Sequence, residues 1–130
     1  MKLALVLFSF VFCNPVTGIE YYTATYDNID VDAILNNERL FTQYMGCLLE
    51  NGPCTADGRT LRRILPEAIT TRCEKCNPRQ KQIAKKISNH LKEKKPDIWI
   101  MLIEKIDPQE EDIAAFEEFL AQKEEEYLLR

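Results

Sequence analysis

Asp97-Ile98-Trp99-Ile100-Met101-Leu102-Ile103-Glu104-Lys105-Ile106 is the stretch on which the fold turns. Ile98 to Ile103 are consecutively apolar, and Pro96 and Asp107-Pro108 bound the segment. It is too short to span a membrane, which takes roughly 20 apolar residues. Wound as a helix, it is apolar on every side. Such a helix is expected to be buried on every side, at the centre of a domain or against a cavity. The sequence around it therefore has to supply its cover.

Upstream, Asn77-Pro78 reads as a cap followed by proline at the first helical position. It opens a helix with Ile83, Ile87 and Leu91 on one face and Arg79, Lys81, Lys85, Lys86 and Lys92 over the others, ended by Pro96. An earlier helix is predicted from Asp57 to Thr71, with Leu61, Leu65, Ala68 and Ile69 inward. Pro66 lies inside it and removes a backbone donor, so a kink or a new helix start is expected there. Before that, Asn37 caps a helix striped by Leu40, Tyr44 and Leu48, with Phe41, Met45 and Leu49 alongside; Asn51-Gly52-Pro53 stops it. Asp30 caps a short helix carrying Val31, Ile34 and Leu35. Downstream, Asp107-Pro108-Gln109-Glu110 reads as a capping box for a sixth helix, with Ile113, Phe116 and Leu120 inward. Glu124-Glu125-Glu126 ends that pattern, and residues 120–130 are expected to form a loose tail. About six short amphipathic helices define an all-α class, one compact domain. Short helices pack at varied angles and leave a gap between apolar faces. Periodicity does not tell whether side chains or a ligand fills it.

Residues 1–18 stand outside this pattern. Lys2 precedes an apolar run, Leu3 to Phe12, broken only by Ser9; Pro15 and Val16-Thr17-Gly18 follow. That is the pattern of a secretory signal peptide cut near Gly18, with a buried N-terminal helix as the alternative. The domain is then 19–130, beginning near Ile19, secreted and extracellular, without stable membrane insertion.

Charge is segregated along the chain. Residues 19–58 hold seven acids and one base, 59–95 twelve bases and three acids, and 97–130 eleven acids and three bases. The whole chain is −4, and −5 once Lys2 is removed. A basic middle can signal nucleic acid. Export, the net acidity and the interleaving of the bases with helix-period apolar residues argue against it. The basic and acidic faces are instead expected to oppose each other within one small molecule.

Cys13 leaves with the signal peptide, so Cys47, Cys54, Cys73 and Cys76 remain. An even count in a short exported chain implies disulfides, and three pairings are possible. The tight spacings favour Cys47–Cys54 and Cys73–Cys76. A four-cysteine zinc site is the alternative, because Cys73 to Cys76 is a C-x-x-C; the wider Cys47–Cys54 spacing and the export signal weigh against it.

No catalytic constellation stands out. Ser88 and His90 are the lone serine and histidine after residue 18, and two residues apart on a helix they do not face each other. The thiols are committed to bridges, and neither H-E-x-x-H nor a glycine-rich phosphate loop occurs. Glu110, Glu111, Asp112, Glu117 and Glu118 read as a solvated helix surface. The expectation is a protein that is not an enzyme and needs no cofactor.

The spacing C-x6-C-x18-C-x2-C, with Tyr22-Thr23, Tyr26-Asp27-Asn28-Ile29-Asp30-Val31-Asp32, Gly52-Pro53-Cys54-Thr55, Leu65-Pro66-Glu67-Ala68, Lys94-Lys95-Pro96-Asp97, Trp99 and Asp107-Pro108, resembles the chemosensory proteins of insects and other arthropods, the OS-D-like family. The resemblance covers about residues 21–108. It implies six helices around an apolar channel, adjacent cysteines paired, and carriage of long-chain or aromatic semiochemicals and lipids. It places Tyr26, Tyr44 and Trp99 at the channel or its mouth. It makes Ile34, Leu40, Leu48, Leu61, Leu65, Ile69, Ile83, Ile87 and Leu102 its wall, although each aliphatic also reads as ordinary core. Tyr44 is singled out because a buried phenol needs a polar partner and can orient an alcohol or acid head group. After Pro108 the sequence departs from the family, with acids at Glu110, Glu111 and Asp112 and the apolar end Tyr127-Leu128-Leu129. The expected function is a monomeric carrier of a small hydrophobic ligand. The competing reading is a secreted interaction, developmental or immune protein whose core is full.

Overall fold

A computed structural model describes residues 20–123. The expected signal peptide and the apolar end Tyr127-Leu128-Leu129 lie outside the described residues. Six helices and no strand occur among them: α1 Val31–Leu35, α2 Glu38–Leu48, α3 Ala56–Thr70, α4 Pro78–Lys94, α5 Pro96–Ile106 and α6 Ile113–Ala121.

The helix starts follow local chemistry. Asp30 accepts from the Ala33 amide, Asn37 from the Arg39 and Leu40 amides, and Thr55 from the Gly58 amide. Each meets a donor that the first helical turn leaves unpaired. Asn77 and Gln80 form a reciprocal capping box with Pro78 at the first position. The ends of α2 and α3 are less legible. Glu50 and Arg72 take left-handed backbone (φ 60° and 56°) at sites usually given to glycine. The Glu50 and Asn51 amides return to the Cys47 and Gly46 carbonyls, and the Arg72 and Cys73 amides to those of Ile69 and Ala68. Each end is a Schellman turn, and each runs straight into a disulfide segment. So Glu50, rather than Asn51-Gly52-Pro53, stops α2. α3 runs on through Pro66 without a new start; the proline leaves only the Arg62 carbonyl without its helical donor.

The disulfides are Cys47–Cys54 and Cys73–Cys76. The first joins the last turn of α2 to the loop before α3, and the second closes the turn between α3 and α4. Both are local, so they set angles between consecutive helices instead of tying distant parts together.

α2 packs on α3, α4 on α5, α1 on α2 and α4, and α6 on α3 and α4. Two buried clusters result. Val31, Leu35, Phe41, Met45, Leu48, Leu91 and Leu102 make one. Ile69, Cys73, Cys76, Phe116, Phe119 and Leu120 make the other. Trp99 and Ile106 of α5 touch both.

Two expectations are corrected here. α5 is not buried all round: Leu102 is buried, but Ile100 and Met101 are 53% and 46% exposed. α5 leans on α4 with one side, and no described helix covers its outer face. Second, Asp107 does not open a capping box. It is buried, and its carboxylate accepts from the amides of Glu111, Asp112 and Ile113. With Glu110 left-handed (φ 54°), the chain turns once more before α6 begins at Ile113. Asp107 therefore organises the whole α5–α6 loop. Phe119 joins Phe116 and Leu120 on the inner face of α6, and Leu120 and Ala121 belong to that helix rather than to a tail.

The segregated charges do oppose one another. Lys86 pairs with Asp32 at 3.0 Å, Lys95 with Glu38 at 3.0 Å, and Lys92 with Glu117 at 2.5 Å. The basic α4 region is answered by acids from both flanking segments. Such exposed pairs are worth about 1 kcal/mol or less each; their effect is to orient faces.

Candidate functional site

Between the two clusters lies a cavity of about 640 Å³. Every described helix contributes to its wall. From α1 come Val31, Ile34 and Leu35, and from α2 Phe41, Tyr44, Met45 and Leu48. α3 supplies Leu61, Ile64, Leu65, Ala68 and Ile69, and α4 supplies Ile83, Ala84, Ile87, Ser88 and Leu91. Trp99, Leu102, Ile103 and Ile106 of α5 and Phe116 of α6 complete the apolar lining. The inner face of α5 thus borders a void, which is the second of the two environments an all-apolar helix can occupy.

Every predicted wall or mouth residue borders this cavity except Leu40. The cavity-facing residues of α2 are Phe41, Tyr44, Met45 and Leu48. At 3.6 residues per turn their common direction lies about 90° from Leu40. The wall of α2 therefore takes Tyr44 and Leu48 from one predicted stripe and Phe41 and Met45 from its neighbour, and Leu40 falls outside it. Tyr26 borders the cavity and is 38% exposed. Trp99 is half-buried with the Lys92 ammonium 5.9 Å over its ring. His90 packs its ring 6.0 Å from Phe41 and does not border the cavity, whereas Ser88 is buried against it.

The N-terminal segment 22–29 also borders the cavity, through Tyr22, Thr23, Tyr26, Asp27 and Ile29. That segment is strapped to the start of α4. The Asp27 carboxylate accepts from Asn77 Nδ2 at 2.6 Å and Gln80 Nε2 at 2.9 Å, and Arg79 donates to the Asp27 and Ile29 carbonyls. Tyr22 donates its hydroxyl to Glu67 of α3 at 2.8 Å; Lys75 holds the other Glu67 oxygen at 3.1 Å. Burial, reinforced by the Glu67 carboxylate, pushes the Tyr22 phenol well above its ordinary range. The hydrogen bonds from Tyr22 and Lys75 hold Glu67 below the usual carboxylate value.

The polar corner of the cavity belongs to Tyr44. Its hydroxyl donates to Asp57 Oδ2. Asp57 Oδ1 accepts from the Thr55 hydroxyl and from the Gly58 amide at 2.9 Å. Burial raises Asp57, but these donors outweigh it and leave the carboxyl below its ordinary value. Burial first and Asp57 second push the Tyr44 phenol up to about 12. The pair exists because α3 comes unusually close to α2: a Cβ on Gly58 would stand 3.2 Å from the Cys47 sulfur. The bridge and the missing side chain together seat Asp57 under Tyr44. That a buried Tyr44 needs a polar partner is legible in the sequence; that the partner is Asp57 is not, because the contact depends on how α2 and α3 meet. Ser88, Asp57 and the Tyr22–Glu67 contact were all missed for that reason.

No group of three or more His, Cys, Asp or Glu side chains among the described residues is placed to hold a metal. No described helix is long and apolar enough to cross a membrane.

This architecture defines a class: a small all-helical protein built around one apolar cavity, with two local disulfides setting its walls. The pattern of the insect pheromone-binding family, A10/OS-D, matches residues 22–114, and the chain belongs to that family. It is 46% identical over 110 residues to ejaculatory bulb-specific protein 3 of Drosophila melanogaster, covering 85% of each chain. It is 43% identical over 90 residues to allergen Tha p 1 of Thaumetopoea pityocampa, covering 69% of this chain and 71% of that one. Among solved structures, a chemosensory protein in complex with bromo-dodecanol aligns at TM-score 0.69 and 37% identity, over 75% of this chain and 97% of the other. The resemblance read from the cysteine spacing and the Tyr26–Asp32 block is therefore a family membership, and the fold it implied is the fold observed.

Proposed function

We propose that this protein is a secreted, non-enzymatic carrier that takes up a small hydrophobic ligand in the cavity and releases it elsewhere. The observation that carries the reading is a cavity of about 640 Å³ lined mainly by aliphatic and aromatic side chains. A solved relative in the same fold is in complex with bromo-dodecanol. The ligand classes in view are long-chain alcohols, acids, esters and other semiochemicals or lipids. Tyr26, Ile34, Tyr44, Leu48, Leu61, Leu65, Ile69, Ile83, Ile87, Trp99 and Leu102 are proposed as its contacts.

The driving force is burial of apolar ligand surface. About 400 Å² removed from water is worth roughly 10 kcal/mol at 25 cal/mol per Å². Loss of ligand freedom reduces this towards micromolar affinity, about −8 kcal/mol. The route in runs between the N-terminal strap and α3, where Tyr22 and Tyr26 stand. An open cavity of this size weighs against the alternative of an interaction protein with a filled core.

The test is a titration of the oxidised protein with N-phenyl-1-naphthylamine, following Trp99 emission in parallel. Saturable micromolar uptake displaced by long-chain lipids is expected. No uptake by folded, disulfide-bonded protein would sink the carrier reading. Secretion is tested separately by expressing the full chain in insect cells and sequencing the exported product, which is expected to begin near Ile19.

A further inference from the structure

The polar corner of the cavity has a property that its composition hides: its donors are already used. Tyr44 gives its hydroxyl proton to Asp57, and so does Thr55. Thr60, which also borders the cavity, donates to the Ala56 carbonyl at 3.1 Å. The Gly58 amide is taken by Asp57 Oδ1. What remains at Asp57, Tyr44 and Thr60 is acceptor capacity only: a lone pair on Asp57 Oδ2, those of the Tyr44 oxygen, and those of Thr60; Arg63 and Ser88 are donor-bearing side chains elsewhere in the lining. A carboxylate oxygen pair has about four acceptor sites, and three donors do not exhaust them. Asp57 carries its charge with hydrogen bonds alone; no ion pair reaches it among the described residues. Of the other acids that border the cavity, Glu67 has Lys75 against it and Asp27 accepts from Asn77 and Gln80.

An acceptor-only, negatively charged corner in an apolar cavity discriminates between head groups on the same tail. A hydroxyl has a proton to give and no charge. A carboxylate has no proton to give and meets a like charge at a half-buried group. An ester has neither proton nor charge, so it leaves the corner unpaired. We propose that Asp57, presented through Tyr44, makes the cavity select long-chain alcohols over the corresponding carboxylates and esters. Asp57 and Tyr44 are thus specificity-determining residues, and the site is an alcohol site. This deepens the carrier reading above and rests on it.

The experiment is displacement of bound N-phenyl-1-naphthylamine at pH 7 by dodecan-1-ol, dodecanoate and methyl dodecanoate. These have the same tail length and three different heads. The native protein is expected to bind dodecanol at least about tenfold tighter than dodecanoate, equivalent to about 1.4 kcal/mol, with the ester also weaker than the alcohol. In Asp57→Asn the amide can still accept from Tyr44 but has no charge and offers donors of its own. The alcohol–carboxylate gap is expected to fall to within about threefold, chiefly because dodecanoate binds better. Tyr44→Phe leaves the Asp57 charge in place and is expected to keep the bias against dodecanoate.

Native affinities for dodecanol and dodecanoate within threefold of each other overturn the inference without needing any variant, as does probe uptake that dodecanol fails to displace. An unchanged gap in folded Asp57→Asn does the same. Arg63 is exposed and borders the same cavity, so tight dodecanoate binding that Arg63→Gln abolishes would overturn the inference in favour of that guanidinium as anchor. No probe uptake at all is the separate failure of the carrier reading itself.

Discussion

Leu91→Ala and Leu120→Ala form a matched pair that separates wall from core. Both leucines are almost fully buried, at 1% and 5% exposure. Leu91 borders the cavity and Leu120 does not. Leucine-to-alanine changes in protein cores cost about 2–5 kcal/mol, a transfer part plus a part that grows with the void left behind. Leu91 already has empty space on one side, so it has fewer packed neighbours to lose. Its truncation is expected near the low end, about 2–3 kcal/mol. Leu120, held by Ile69, Phe116 and Phe119 in a closed cluster, is expected at about 3–4 kcal/mol by the same rule. In a domain of this size 2–3 kcal/mol lowers the melting temperature by roughly 10–20 °C. The ligand response is expected to go the other way. Leu91→Ala enlarges the cavity, so the best-binding alkanol should lengthen by one or two carbons, while Leu120→Ala should leave the optimum where it was. Urea unfolding followed by circular dichroism gives the stabilities, and probe displacement by C8 to C16 alkanols gives the optimum. An unchanged optimum in Leu91→Ala, or a shift of equal size in Leu120→Ala, would refute the assignment of the cavity wall.

Three other outcomes are expected. Asp57 and Glu67 have folded-state pKa values below their unfolded ones, so the stability they add is present above the unfolded value and is lost as pH falls through the folded one. Acid unfolding monitored by Trp99 fluorescence should accordingly begin at higher pH in Asp57→Asn plus Glu67→Gln than in the native protein. The tyrosines run the other way: an alkaline titration read at phenolate absorbance should show Tyr44 ionising only near pH 12 and Tyr22 held well above the ordinary phenol range. Gly58→Ala gains about 1 kcal/mol of helix propensity but drives a methyl to 3.2 Å from both the Cys47 sulfur and Thr55 Oγ1. Overpacking costs about 1–3 kcal/mol, so a net loss of up to about 2 kcal/mol in urea unfolding and a weakened preference for dodecanol are expected; a stabilised variant with unchanged preference would contradict the close approach of α3 to the bridge.

The helix starts were legible because capping is local. Asp30, Asn37 and the Asn77-Pro78-Arg79-Gln80 box each act within one turn. The cysteine spacing was legible because both loops are too short to bridge distant parts. What escaped had its cause elsewhere in space. Asp107 looked like a cap, and it is one for a loop whose direction only the packing of α6 on α3 and α4 decides. The apolar run in α5 implied cover on all sides, but hydrophobicity records what a face tolerates, and Ile100 and Met101 tolerate solvent. Leu40 failed by a rotation of α2, since periodicity fixes the spacing of a stripe and leaves its absolute direction to the partner helix. That the gap between the helices stays open was implied only by resemblance. Short helices at varied angles leave a gap, but its 640 Å³ and its acceptor-only corner arise from the meeting of all six.

The claim at the centre of the account is that the space between the two clusters is a binding site driven by apolar burial. Calorimetric titration of the oxidised protein with 1-alkanols from hexanol to tetradecanol, at two or more temperatures, tests it most directly. Each added methylene is worth about 0.8 kcal/mol, so affinity should rise about fourfold per carbon until the cavity is full and then level off, with a negative heat-capacity change throughout. Affinities that do not depend on chain length, or binding without that heat-capacity change, would contradict the account.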